Sequence, residues 1–275
     1  MTTSDLSRAA PLVLVGAGKM GGAMLAGWLA RGLPGNAVYV IDPSPPAEMT
    51  ALIAEHGLRH KTSAPASLTA RVIVLAIKPQ ILDSVLPGLA HLVGPETVVV
   101  SIAAGKTIGA IGDGLGPVAI VRAMPNTPAQ VGRGVSVGVA NAATTAEQKA
   151  LVDALLSAVG SVEWVEDEAL IDAVTAVSGS GPAYVFHMVE ALAAAGVAAG
   201  LEPGMAGRLA RATVEGAGEL LHQSPLAPAV LRQNVTSPKG TTAAALDVLM
   251  SADGLSELMT RAVEAAARRS RELAE

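Results

Sequence analysis

Three glycines near the amino terminus have the spacing of a dinucleotide-binding turn. The segment 16–21 (GAGKMG) follows an apolar run and opens a helical pattern, which is the context that this fingerprint requires. Gly16 permits the tight turn, Gly18 lets the backbone approach a pyrophosphate, and Gly21 lets helix and strand pack closely. The helix N-terminus adds N–H donors and the positive end of a dipole. The segment therefore predicts a dinucleotide seat, with a glycine-rich turn that binds nothing as the alternative.

The residue after the second apolar run bears on which dinucleotide binds. Asp42 follows the run 37–41, about where an acid binds the adenosine ribose in such folds. A carboxylate favours NADH because it repels a 2′-phosphate. Ser44 could instead donate to a phosphate, and no arginine follows before Arg59. Both NADH and NADPH therefore stay open as cofactors.

Two more polar segments lie where predicted strands end. Residues 76–79 follow an apolar run, and ligands of open α/β sheets bind outside the carboxyl ends of the strands. Lys78 is therefore either a cation that faces the cofactor or a solvated loop lysine. The segment 124–128 (MPNTP) places two prolines around two polar residues. It forms either a rigid wall of the nicotinamide site or a structural turn.

Small residues and hydroxyls precede two predicted helices in the second half. The segment 177–184 (VSGSGPAY) breaks one helix and starts another, and Pro182 suits a first helical turn. The segment 234–242 (NVTSPKGTT) leads into a helix in the same way. Free N–H groups at such a helix start can hold an anion. We interpret the second segment as a carboxylate cradle; a plain capped helix start is the alternative.

Composition excludes several classes of function. The chain has 275 residues, 51% hydrophobic and 16% charged, and a net charge of −5. It is too apolar for a disordered chain, and without a basic face we expect no nucleic-acid partner. Because cysteine is absent and the histidines are scattered, we expect no disulfide, thiolate chemistry or metal site. No apolar run is long enough for a membrane span or a signal-peptide core, so we expect a cytoplasmic protein.

The first half alternates short apolar strands with helical patterns. Continuous β-branched runs indicate strands that are buried on both faces, and the alternation implies a parallel, doubly wound sheet. Predicted strands cover residues 11–15, 37–41, 72–77, 97–102, 118–122, 136–139 and 161–165. Predicted helices cover residues 19–31, 46–56, 79–92, 107–112 and 145–159. The expected fold is therefore α/β, with a Rossmann-like domain over residues 1–166.

The second half, residues 167–275, shows only helical patterns. Predicted helices cover residues 168–177, 182–201, 204–222, 241–250 and 255–275. The stretch 184–200 is apolar nearly all round, broken by His187 and Glu190, and a helix that is apolar on every face is buried on every face. We expect an all-α domain that dimerises through this helix. A central helix within one subunit's own bundle is the alternative.

These motifs together resemble the pyrroline-5-carboxylate reductase family, which catalyses the last step of proline synthesis. The resemblance spans essentially the whole chain and rests on GAGKMGGAMLAGWL (16–29), LAIKPQ (75–80), MPNTPA (124–129), LIDAVTAVSGSGPAYVF (170–186) and NVTSPKGTTAAAL (234–246). The last two motifs are specific to the family, whereas many dehydrogenases share the first. The resemblance implies NAD(P)H-dependent reduction of L-1-pyrroline-5-carboxylate to L-proline. It also implies homodimers interlocked through long helices, which in this family also form rings of five dimers.

The resemblance also implies roles for single residues. Thr242 would be the catalytic residue and hydrogen-bond the ring nitrogen. The remaining residues expected around the substrate are Glu168, Asn234, Ser237, Gly240 and Thr241. The resemblance places these residues at the dinucleotide: Gly16, Ala17, Gly18, Lys19, Met20, Gly21, Ala76, Ile77, Lys78, Pro79, Ile102, Ala103 and Ala104. Asp42 and Ser44 join this set because of their place after the second strand.

Two positions depart from the family pattern. Lys239 stands where the family often has glycine, so it either points to solvent or adds a cation beside the carboxylate. Asp42 stands where members that use NADPH often have a neutral polar residue, which weakens any preference for NADPH. Two rival functions stay open: reduction of another imine, a ketone or a deazaflavin-type cofactor on the same scaffold, and dinucleotide sensing without turnover.

Overall fold

The structure, a computed structural model, describes residues 6–273. The chain divides into two compact units: the residues up to Gly179 together with those from Ala267 onward, and Ser180–Ala266. The expected domains, 1–166 and 167–275, stay a prediction; in the compact units the stretch 167–179 belongs with the first. The outer ends of those expected domains, and the end of the helix predicted over 255–275, lie outside the described residues.

One sheet organises the first unit. Its strands are β1 (Leu12–Val15), β2 (Val38–Ile41), β3 (Arg59–Lys61), β4 (Val72–Leu75), β5 (Val98–Ser101), β6 (Ala119–Met124), β7 (Gly134–Ala140) and β8 (Gly160–Trp164). Their order is β3-β2-β1-β4-β5-β6-β7-β8. Neighbouring strands in the described chain are parallel except β6 and β7. The mostly parallel, doubly wound sheet is confirmed, but the expectation of parallel strands throughout is wrong for β7 and β8, which are parallel to each other and antiparallel to the other six strands. Strand β7 returns from β6 through a short connection without an α-helix, which suits antiparallel pairing, whereas a parallel strand needs a long crossover.

Helices cover both faces of this sheet. They are α1 (Lys19–Ala30), α2 (Ala47–Glu55), α3 (Pro79–Val85), α4 (Ile108–Leu115), α5 (Ala146–Leu156) and α6 (Leu170–Val174). Successive residues of β1 point to opposite faces: Leu12 and Leu14 join one apolar core with Trp28, while Val13 and Val15 join another. Burial on both faces is why these strands appear in the sequence as continuous apolar runs.

Three elements differ from the sequence prediction. The helix expected over 79–92 ends at Val85 and continues as short 3-10 turns, because Pro87 has no N–H to extend an α-helix. The helix expected over 168–177 is replaced by α6 and a π-helical turn at Thr175–Gly179. Strand β3 was not predicted, since its residues Arg59–Lys61 are polar and largely exposed at the sheet edge.

The second unit is built from helices. They are α7 (Gly181–Ala198), α8 (Pro203–Gln223), α9 (Pro228–Asn234), α10 (Thr241–Leu249) and most of α11 (Leu255–Glu272). Helices α7 and α8 approach closely through small residues: a Cβ added at Gly196 would lie 3.3 Å from the Cβ of Ala206, and Ala206 and Ala210 are buried. The expectation of a helical C-terminal half is confirmed, with α9 as a helix that the sequence patterns did not predict.

The described part of the chain contains neither a membrane-spanning helix nor a cluster of metal ligands. Across residues 6–273, no helix combines the length and apolar character needed to cross a membrane. Over the same residues, no three His, Asp or Glu side chains gather in a way that could hold a metal ion.

Candidate active site

The glycine turn connects β1 to α1. Gly16 has a φ of +93°, and a Cβ there would lie 2.7 Å from the carbonyl oxygen of Ala76, so no larger residue fits. The N–H of Gly16 donates to the carbonyl oxygen of Ile41 at 2.9 Å. A Cβ at Gly21 would collide with the Gly16 carbonyl oxygen. The turn therefore lies directly against the neighbouring strand ends and against its own helix.

Gly18 is the open position of this turn. A Cβ there would meet nothing within 4 Å, so sterics inside the protein do not require a glycine. Gly18 is also the N-cap of α1, without a side-chain cap and with no acidic residue in the first turn. The first N–H groups of a helix have no partner inside the helix, and together with the dipole they attract an anion. The space and the donors fit a pyrophosphate.

Asp42 is held in this turn by two backbone donors. Its Oδ2 accepts from the N–H of Ala17 at 2.7 Å, and its Oδ1 accepts from the N–H of Ser44 at 2.8 Å. The carbonyl oxygen of Asp42 lies 2.7 Å from Nε2 of His60. A carboxylate has about four lone-pair sites, so two stay available for ribose hydroxyls. The same charge would face a 2′-phosphate.

Two further strand ends lie beside the glycine turn. The N–H of Ala76 donates to the carbonyl oxygen of Val15 at 2.8 Å, and the N–H of Ile102 donates to that of Leu75 at 3.1 Å. Lys78, which is exposed, is the N-cap of α3. Sheet order reverses between β1 and β4, and dinucleotides bind at such a switch point. The structure thus brings residues 16–21, 42–44, 76–79 and 102–104 to one edge of the sheet.

Asn126 gives the MPNTP segment a structural task. Its side-chain amide donates to the carbonyl oxygen of Ser178 at 3.1 Å, and its Oδ1 accepts from the N–H of Val135 at 2.9 Å. Asn126 is only 9% exposed. The segment is therefore a turn that ties β6, β7 and the π-helical turn together; whether it also borders the nicotinamide remains a prediction.

Glu168 lies in the first unit and has a partner that the sequence pattern did not predict. Its Oε1 accepts from Nη1 of Arg122 and from the N–H of Ile108, both at 2.9 Å. The Arg122 side chain is 5% exposed and that of Glu168 is 30% exposed. A single arginine inside the apolar strand AIVRAM was the signal that could have pointed to this pair. A charge in a buried strand needs a buried or half-buried counter-charge.

The hydroxyl-rich segment 234–242 lies in the second unit. Gly240 is the N-cap of α10 and supplies no side-chain cap, and Thr241 and Thr242 begin the helix. Asn234, Ser237 and Thr241 are exposed, and Thr242 is half-buried. The expected anion cradle therefore has uncapped N–H donors beside hydroxyl groups. Its role toward the substrate remains a prediction.

Lys239 has an unusual backbone at this helix start. Its φ is +61°, which makes it the non-glycine residue with positive φ in the described chain, and its side chain is exposed. The left-handed backbone conformation is unfavourable for a residue with a Cβ atom, whereas glycine adopts it without that penalty. Glycine would therefore suit this position, which agrees with the family pattern expected there.

Comparisons with known proteins match the chain in both halves. A family model described as pyrroline-5-carboxylate reductase dimerisation matches residues 168–273. A model described as NADP oxidoreductase, coenzyme F420-dependent, matches residues 11–105. The two matches fall on the helical half and on the glycine turn with its adjoining strands.

Single proteins resemble the chain over nearly its full length. A curated pyrroline-5-carboxylate reductase of Pseudomonas aeruginosa is 43% identical over 96% of this chain and 97% of its own. A solved pyrroline-5-carboxylate reductase of Coxiella burnetii is 35% identical with a TM-score of 0.90, covering 97% of this chain and 99% of that one. A Plasmodium falciparum pyrroline carboxylate reductase with NADP bound is 29% identical with a TM-score of 0.79, covering 98% of this chain and 99% of that one.

Proposed function

Because the chain belongs to the pyrroline-5-carboxylate reductase family, we propose how its residues share the work of the family reaction. That reaction is the reduction of the cyclic imine L-1-pyrroline-5-carboxylate to L-proline. The enzyme is an oxidoreductase with an NAD(P)-binding sheet domain and a helical dimerisation domain. The assignment of single residues below is our proposal.

The dinucleotide would be held at the edge where β1, β2, β4 and β5 end. The uncapped start of α1 would bind the pyrophosphate, and Asp42 would bind the adenosine ribose. Residues 76–79 and 102–104 would border the nicotinamide end. When bound, the reduced nicotinamide supplies the hydride. The open position at Gly18 and the paired but unsaturated Asp42 carboxylate support this arrangement.

The substrate would be held at the start of α10. Its carboxylate would accept hydrogen bonds from the first N–H groups of that helix and from Ser237 and Thr241, while Thr242 would hydrogen-bond the ring nitrogen. From the family resemblance we also propose that Asn234 and Glu168 contact the substrate. A cyclic imine can be protonated in solution near neutral pH, so the protein needs to orient the ring more than to supply a strong acid. Positioning of this kind can supply most of a rate enhancement.

One observation carries the proposal for the substrate. Helix α10 starts with two threonines behind an N-cap glycine that offers no side chain. Its first N–H groups therefore have no side-chain cap, and a carboxylate is the type of group that such a helix end attracts. The alternative, a plain capped helix start, would place a side-chain oxygen within hydrogen-bond distance of one of these N–H groups.

Substitution of Thr242 tests the role of its hydroxyl. We expect Thr242→Val, which keeps the shape of the side chain, to lower kcat/KM for the imine by roughly 10- to 100-fold, because ring orientation is lost. Thr242→Ser keeps the hydroxyl and serves as the matched control, with activity near that of the wild type. The measurement is NADH and NADPH oxidation with pyrroline-5-carboxylate as substrate. Equal kinetics for both variants and the wild type would remove Thr242 from the mechanism.

Assembly follows from the dimerisation domain, and the chain forms a homo-oligomer. We propose a dimer built on α7, either alone or as one of five dimers in a ring. Helix α7 has no buried residue within the single chain, and Val185, Phe186, Met188 and Leu192 are more than 40% exposed. Light scattering would distinguish a dimer from five dimers in a ring. We also propose the cytoplasm as its location, since reduced nicotinamide nucleotides are available there; cell fractionation would test this.

A further inference from the structure

Arg122 is a buried cation in the middle of the sheet. It lies in β6, where all six residues are buried, and its side chain is 5% exposed. Its Nη1 donates to Oε1 of Glu168 at 2.9 Å. Its Nε and Nη2 are buried and have no hydrogen-bond partner within the described chain.

A charge in this position is costly and calls for a reason. Burying an ionised group is strongly unfavourable unless it is paired, and each unpaired buried donor adds to that cost. An apolar residue would complete β6 without either cost, because the strand's other five residues are Ala, Ile, Val, Ala and Met. Arg122 therefore does not serve the sheet core itself. Within residues 6–273 its hydrogen-bond partner is Glu168, so the contacts that Glu168 makes bear on its role.

Glu168 links Arg122 to the start of α4 through two hydrogen bonds. The same Oε1 that accepts from Arg122 also accepts from the N–H of Ile108 at 2.9 Å, and Ile108 is the first residue of α4. The loop 102–107, which joins β5 to α4, is therefore held at its far end. At its near end the N–H of Ala103 donates to Oγ of Ser101 at 3.3 Å, and Ser101 pairs with Arg122 in the sheet register.

We propose that Arg122 is a positioning residue that acts through Glu168 to fix the loop 102–107 for binding of the nicotinamide end of the dinucleotide. The proposal rests on the proposed function, which assigns residues 102–104 to that end of the cofactor. Arg122 holds the carboxylate, the carboxylate holds Ile108, and the loop between Ser101 and Ile108 takes one shape before any cofactor arrives. A preformed loop lowers the ordering cost of binding.

Replacement of Ile108 by proline removes one hydrogen bond from this series, the one from the Ile108 N–H to Glu168. Ile108 is the first helical residue, a position that proline tolerates because it needs no N–H for the helix. Thr107 has φ −81° and ψ 159°, the extended backbone that a residue before proline adopts. Ile108→Pro therefore deletes the N–H that donates to Glu168. Ile108→Ala is the matched control, since it also loses the branched side chain but keeps the N–H.

Three measurements compare this pair of variants, and the first two do not depend on turnover. In the cofactor-free protein, we expect amide hydrogen exchange of residues 102–107 to be faster in Ile108→Pro than in Ile108→Ala. We expect the Kd values for NADPH and NADH, measured by cofactor fluorescence, to be roughly tenfold higher in the proline variant. We also expect kcat to fall by roughly 10- to 100-fold, as displacements of about 1 Å can cause. Equal exchange, Kd and kcat in the two variants would overturn the proposal.

A second pair of variants separates positioning from simple stability. Arg122→Met leaves Glu168 without its cation, and the double variant Arg122→Met/Glu168→Gln leaves no unpaired charge. We expect the double variant to regain most of the Tm lost by Arg122→Met, because neutral replacements of an ion pair are often tolerated. Exchange in 102–107 and the weakened cofactor Kd should not recover. If Tm, hydrogen exchange and cofactor Kd all recover in the double variant, the pair only stabilises the fold and the positioning role is refuted.

Failure of this proposal can be told apart from failure of the proposed function. If the wild type does not reduce pyrroline-5-carboxylate, the function is wrong, whereas the exchange and cofactor-binding results still decide the role of Arg122. If the wild type is active and the proline variant behaves like the alanine variant, the function stands and the positioning role is wrong. If Ile108→Pro does not fold, the double variant decides by the same readouts.

Discussion

Removal of the Asp42 carboxylate should change which dinucleotide the enzyme uses. Asp42 is half-buried at the end of β2 and receives N–H donors from Ala17 and Ser44. The informative substitution is Asp42→Ser, which removes the charge and shortens the side chain. Asp42→Asn is its partner, because it removes the charge but keeps the shape and one acceptor oxygen.

The size of the effect follows from two terms. Two unit charges about 4 Å apart repel by about 1 kcal/mol in water and about 4 kcal/mol near a protein surface. Because Asp42 is half-buried, we expect a value between these limits, so that kcat/KM for NADPH itself rises roughly 5- to 100-fold. A hydrogen bond to a charged group is worth about 1.5–3 kcal/mol, so NADH should lose roughly tenfold or more in kcat/KM. The loss of the bond to Ala17 should also lower the free energy of unfolding.

The assay is a comparison of kcat/KM for NADH and for NADPH at saturating pyrroline-5-carboxylate, with Kd values for both cofactors measured without substrate. Urea unfolding of each variant measures how far the free energy of unfolding falls when the hydrogen bond to Ala17 is lost. In Asp42→Asn the change in cofactor ratio should persist while stability falls less than in Asp42→Ser. A shared change in ratio would identify the charge, and not the turn geometry, as the cause.

One result would refute this reasoning. If the ratio of NADPH to NADH activity is the same in the wild type and in both variants, Asp42 does not face the adenosine ribose or its 2′-phosphate. Its carboxylate would then serve only the two backbone donors that the structure shows. Equal loss of both cofactors, together with lower stability, would be the signature of that purely structural role.

The remaining predictions concern the second unit. Lys239→Gly should raise stability by about 0.5–1 kcal/mol, the left-handed backbone cost less the extra chain entropy of glycine, as a higher Tm would show; Lys239→Ala, which keeps the strain, should give no gain. Glu202 caps α8 by accepting from the N–H groups of Gly204 and Met205, and these bonds hold the pKa of Glu202 below its ordinary value. Its contribution is therefore present above the unfolded pKa of about 4.3 and lost as pH falls through the lower folded pKa, so Glu202→Ala should lower Tm at pH 7 and have little effect near pH 2. A Tm difference that does not change with pH would contradict the capping role.

Much of the fold and of the cofactor seat could be predicted from local pattern. The segment 16–21 joins β1 to α1 and includes the first residues of that helix, as its glycine spacing requires, and continuous apolar runs became strands buried on both sides. Such features are determined by neighbours in the chain, because spacing, turn sterics and strand burial act over a few residues. The antiparallel β7 was not predictable in this way, since strand direction depends on how a connection returns to the sheet.

The sequence by itself determined the chemistry on offer: a turn that only glycine can make at Gly16, a carboxylate after β2, and hydroxyls at the start of α10. Only the tertiary structure decided how these groups are held. Arg122 and Glu168 are 46 positions apart in the chain, and they pair because the segment that follows β8 returns beside β6 and the first residue of α4. Contacts of this kind depend on three-dimensional packing and not on spacing, so a buried charge reveals its partner only after the chain has folded.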